Sequence, residues 1–172
     1  MSEQNNAGDT LRDFDKPQIP SGLNVLSIFS FIGCGLQLLG VIYTFMTAQK
    51  NFEEKDKVME KMNSAQMPGW AKSIMPDTAH YEEMITKTYE NRIPLIILGL
   101  VAVSLCLYGV IQMRKLKKQG FMFYVIGELI PFLSMGLFIG TFTYAGISFY
   151  VGCGIALLFI LLYANQRKHF TS

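Results

Sequence analysis

The chain has 172 residues, a size for one domain, and only 16% of them are charged against roughly 25% in soluble proteins. Its net charge of +2 is too small to draw a nucleic-acid partner. Three cysteines, Cys34, Cys106 and Cys153, all fall inside apolar runs. That placement argues against a disulfide-stapled ectodomain and leaves no Cys-x-x-Cys or Cys/His pattern for zinc, so neither metal nor cofactor is expected.

Residues 1–21 are polar and on balance acidic, rich in Asn, Asp, Glu and Gln, with Pro17 and Pro20 holding the last stretch extended. They read as a disordered tail. Without a basic n-region they do not read as a cleavable signal, so the first apolar run is expected to stay as an anchor. Ser21 is placed to cap the first helix. Span one, residues 23–46, carries no charge and reaches roughly 36 Å as a helix, enough for a hydrocarbon core of about 30 Å. Gly33, Gly35 and Gly40 flatten one of its surfaces.

Residues 47–92 are the one sizeable polar stretch between spans. The part from 51 to 65 is helix-prone, with Glu53 and Lys57 spaced for an i,i+4 pair and a thin stripe of Phe52, Met59 and Met62. Met67, Pro68, Gly69 and Trp70 break it. A second helix is predicted after Pro76, capped by Asp77, with Glu83 and Lys87 paired. Together these make a helical hairpin, its Trp70 turn resting on the bilayer surface, on a partner or between the two helices.

Span two follows at residues 93–113. Arg114, Lys115, Lys117 and Lys118 form a tight basic linker. Span three, residues 121–141, holds Glu128 and Pro131. A few residues then turn the chain into span four, residues 146–164, and a short tail, 165–172. The predicted fold is therefore an all-α membrane protein of four transmembrane helices, with a helical hairpin between spans one and two.

Eight basic residues fall in the two tails and the linker, and seven in the long loop, where eight carboxylates offset them. Dense basic clusters beside helix ends weigh most in setting orientation. Both termini and the linker are accordingly expected in the cytoplasm, and the helical loop outside. Phe121, Phe123 and Tyr124 at one end, and Tyr144, Phe149 and Tyr150 at the other, are placed as interfacial belts.

Glu128 is the one ionisable residue deep in a span, roughly 10 Å along the helix from Phe121. Placing a carboxyl there costs a few kcal/mol, so it should face helices or water. Two roles compete: binding a proton or cation, with Gln37 beside it and Pro131 freeing a carbonyl, or resting neutral against Gln37 or a hydroxyl. The second is favoured. Gly136 with Gly140, and Gly152 with Ala156, have the small-x-x-x-small spacing by which membrane helices approach closely, and together with Gly33 and Gly35 they are the candidate packing residues. His80 and Glu83 sit i,i+3, but nothing completes a metal site. The basic linker would attract anionic headgroups, although its topogenic role already explains it.

No catalytic motif appears. Claudins and tetraspanins share the four-span count, but the loop cysteines that mark them are absent. The short N-terminal tail, the Lys/Arg-rich linker and the Gly-Glu-Leu-Ile-Pro run at 127–131 resemble in layout small four-span proteins of bacterial inner membranes. The resemblance implies an inner-membrane address and no activity. The expected function is non-enzymatic, an accessory or scaffold subunit partnered by the bilayer and by another membrane protein or further copies of the chain. The alternative is a small oligomeric transporter or channel using Glu128. An enzyme acting on lipid, for which Asp77 and His80 are the only basis, ranks third.

Overall fold

The structure is a computed structural model that describes residues 19–63, 78–145, 147–167 and 170. Residues 1–18 of the expected tail at 1–21, the break around Trp70 and the cap at Asp77 lie outside these residues. The order of elements is α1 (Ser21–Glu53), α2 (Lys55–Asn63), α3 (Thr78–Glu90), α4 (Arg92–Arg114), α5 (Gln119–Ser134), a π turn (Met135–Ile139), a 3-10 turn (Thr141–Ala145) and α6 (Ile147–Gln166). No strand occurs among the described residues. Among the described residues four helices are long and apolar enough to cross a membrane: α1, α4, α5 with its π turn, and α6.

Uninterrupted apolar runs explain the long elements, because in lipid every backbone N–H and C=O must find its partner within the segment. Helix α1 extends past its apolar stretch to a length of about 50 Å. Only Glu54 separates it from α2, and the ladder carries on through Val58 N–H donating to Glu54 O at 3.2 Å. Asn91 similarly offsets α3 from α4, with Leu95 N–H donating to Asn91 O at 3.0 Å. Lys55 pairs with Glu82 at 3.1 Å, and Phe52 stacks on Tyr89 with ring centroids 4.6 Å apart, so α2 and α3 run side by side. Lys87 pairs with Glu83, as the spacing predicts. Glu53 instead accepts a hydrogen bond from Gln49 Nε2 at 2.9 Å. Ser21 is the first helical residue rather than the cap; that position falls to Pro20, whose carbonyl accepts Asn24 N–H at 3.0 Å.

The tightest pair is α4 against α5. Gly109, Gly120 and Gly127 line this seam, and a Cβ added at any of them would come within 2.6 Å of the facing helix. Lipid tails are as apolar as leucine, so close backbone approach substitutes here for a hydrophobic driving force. Helix α1 lies on α4, and α6 closes the bundle through the buried Ala156 and Tyr163. The start of α1, the basic linker and the end of α6 share one face: Arg114 donates to Asn24 Oδ1 at 3.4 Å, and the Arg167 guanidinium lies over the Phe121 ring at 5.0 Å.

Span three departs from the expected plain helix. Pro131 has no N–H to give, and beyond Ser134 the ladder widens to a π turn closed by Gly140 N–H on Met135 O at 3.0 Å. Gly140 sits at φ 135°, a conformation that side-chain-bearing residues avoid, and the helix stops there. Asn91 Nδ2 donates to the Phe138 carbonyl at 3.2 Å, covering one of the acceptors the widened turn leaves over.

Candidate functional site

Two serines one turn apart on α1, Ser27 and Ser30, face inward and are buried. Ser27 satisfies itself, its hydroxyl donating to Leu23 O at 2.7 Å. Ser30 does not; its oxygen accepts from the Tyr163 hydroxyl of α6 at 2.9 Å. Tyr163 is fully buried, and its ring lies against that of Tyr124 on α5 with centroids 4.9 Å apart. The Tyr124 hydroxyl meets both Ser30 and the Glu128 carboxyl, one turn along its own helix. These groups follow one another, Tyr163 beside Ser30, Ser30 beside Tyr124 and Tyr124 beside Glu128, with the bond from Tyr163 to Ser30 fixed at 2.9 Å. Beside these groups the buried Cys34 and Cys106 thiols neighbour one another across α1 and α4, and Cys106 Sγ lies 3.8 Å from Tyr124 O. Every span contributes to the network, at one level of the bundle.

Glu128 is half-buried and its partner is a hydroxyl. Gln37, three residues beyond Cys34 on α1, lines with Ser134 a cavity between spans one, two and three. Tyr124 leaves the expected aromatic belt altogether, being 2% exposed. No family model, curated protein or solved structure matches this chain. Its chemistry is therefore read from the network and the surfaces around it. A run of hydroxyls ending on a carboxyl can do two things: hold four helices in register, or pass a proton along its length.

The remaining candidates disperse. Gly33 and Gly35 face outward, where an added Cβ would meet nothing within 4 Å. At Gly136 a Cβ would run into the Tyr144 hydroxyl, which donates to Phe132 O at 3.1 Å, and Gly152 faces the Phe132 ring. Ala156 is buried. Arg114 is engaged with Asn24 and lies 5.9 Å from the Phe31 ring, whereas Lys115, Lys117 and Lys118 are exposed. His80 and Glu83 both stand exposed on α3. The sequence reading missed Ser30, Tyr163 and the Gly109, Gly120 and Gly127 seam. Two signals were present: hydroxyl residues on one helix stripe at 27 and 30, and glycines two turns apart at 120 and 127.

Proposed function

We propose that the chain is a non-enzymatic scaffold or accessory subunit of a larger membrane assembly, inserted in the inner membrane with the basic linker facing the cytoplasm. The observation that carries this is the outer face of span one. Gly33 and Gly35 leave backbone open there, flanked by the exposed Phe29, Ile32, Leu36 and Leu39. Such a surface lets a neighbouring helix come close, which a lipid-only surface does not require. The internal network supports the same reading, since its hydroxyls partner one another and the bundle is already closed around them.

The run of hydroxyls beside Glu128 favours the alternative, proton or cation transport. Purification in a gentle detergent separates the two. The scaffold reading expects the chain in a complex larger than a monomer, with another membrane protein or further copies at fixed ratio. Gly33→Leu combined with Gly35→Leu should dissolve that complex while helicity is unchanged, and Glu128→Gln should leave it intact. A chain that runs as a monomer, and whose proteoliposomes carry a proton flux abolished by Glu128→Gln, would overturn the scaffold.

A further inference from the structure

The geometry points to a lipid site in the cavity beside span one, which takes one acyl chain of an anionic phospholipid and holds its headgroup at Arg92. The cavity measures about 520 Å³, within the range of about 300–1,000 Å³ usual for ligand sites. Its walls are Val41, Phe45 and Ala48 of α1, Leu95 and Ile96 of α4, and Ile139 of the π turn. It exists because span three ends in the π turn and because Gly40 and Gly99 offer no side chain at its sides. Gly40, Thr44 and Phe45 line it and remain exposed, so it opens sideways toward lipid.

An apolar void of this kind forfeits dispersion contacts on every wall and offers water few partners. In a bilayer an acyl chain is the available filler. The cavity follows α1 from Gln37 to Asn51, about 21 Å, while one leaflet is half of a core of about 30 Å. One chain therefore fits lengthwise.

Charge fixes the headgroup. Arg92 is the only charged side chain in the lining, and it starts span two, where the apolar run meets the polar loop. Its guanidinium lies 4.6 Å from the Tyr89 ring centroid, and among the described residues it has no carboxylate partner. Asn51 and Thr88 line the same end, with donors for phosphate oxygens. A planar guanidinium at the membrane boundary, with no carboxylate on it among the described residues, suits a phosphodiester, and a choline headgroup would bring a competing cation.

Native mass spectrometry of the full chain in neutral detergent, titrated with dioleoylphosphatidylglycerol or dioleoylphosphatidylcholine, tests this. The first phosphatidylglycerol should bind about fivefold tighter than phosphatidylcholine. Arg92→Gln should erase the preference and Arg92→Lys keep most of it. Gly40→Leu, at a position where an added Cβ meets nothing, should remove the first bound lipid of either kind with helicity unchanged. Replacing Lys115, Lys117 and Lys118 together by Gln should change none of these. As a check that needs no variant, phosphatidylglycerol with a diazirine on its acyl chain should label the segments around Phe45 and Leu95. A preference lost with the lysines and kept in Arg92→Gln, first-lipid binding that survives Gly40→Leu, or label confined to the outer faces of α1 and α6 would overturn the site.

Discussion

A tyrosine hydroxyl inside a membrane bundle has few partners to choose from, and Tyr163 takes the one on Ser30. Removing it by Tyr163→Phe should cost about 0.5–2 kcal/mol, since interhelical hydrogen bonds in membranes are worth that much and the unfolded chain finds substitutes. Ser30→Ala should cost at least as much, since Ser30 also neighbours Tyr124, and the double variant less than the sum, because each single change already removes the bond between Tyr163 and Ser30. Reversible unfolding in mixed micelles measures all three. Strict additivity would mean the hydroxyls do not share a bond. Glu128→Gln should be nearly silent in the same assay, as an amide oxygen can accept from a neighbouring hydroxyl as a carboxyl does. Glu128→Ala should cost about 0.5–2 kcal/mol. Of this site only Glu128 was legible in the sequence, as the lone deep carboxyl. Its partner was not, because Tyr124 lies at the edge of its span, where tyrosines ordinarily face headgroups, and nothing local to α5 says that α1 and α6 present hydroxyls to it.

The same distinction holds among glycines at the scale of elements. A Cβ at Gly109 would meet Tyr124 N at 2.6 Å, and one at Gly120 would meet Gly109 O at 2.6 Å; both are backbone atoms that cannot turn aside. Gly109→Ala and Gly120→Ala should each destabilise by about 1–3 kcal/mol, the usual cost of overpacking, whereas Gly33→Ala should be neutral or slightly favourable through its helix propensity. Thermal shift in detergent ranks the three, and equal losses at 33 and 109 would contradict the seam. Span three shows why the sequence located its helix better than it described it. Pro131 marks a missing N–H, but whether the chain kinks, breaks or widens into a π turn depends on which neighbours cover the carbonyls beyond it. Here Tyr144 covers that of Phe132 and Asn91, distant in sequence, that of Phe138.

The whole molecule has two faces, and its chain order fixes which segments share each. Asn24, Arg114, Phe121 and Arg167 gather on one, while α2 and α3 extend from the other. In intact cells Lys117→Cys should be shielded from a membrane-impermeant thiol reagent and Asn63→Cys should react, once the three native cysteines are shown to be silent. The reverse labelling would invert the orientation. The register of spans one and two has its own check. With a protease site placed between Asn63 and Thr78, iodine should oxidise the Cys34 and Cys106 thiols to a disulfide and iodide, so that the cleaved halves stay joined until reduced. Cys106→Ser should separate them and Cys153→Ser should not. Halves that fall apart in the parent would show that these thiols do not meet.

Four apolar stretches and the polar segments between them followed from the sequence alone. Lipid demands long apolar helices, and charge in such stretches is too costly to be hidden. Side-chain partners did not follow. In a bilayer every face of a helix is apolar whether it meets lipid or protein, so the periodicity that marks the buried side of a soluble helix is lost. Which glycines carry the seam, which tyrosine turns inward, and where the spans part to leave a cavity beneath Arg92 were therefore decided only when the four helices came together.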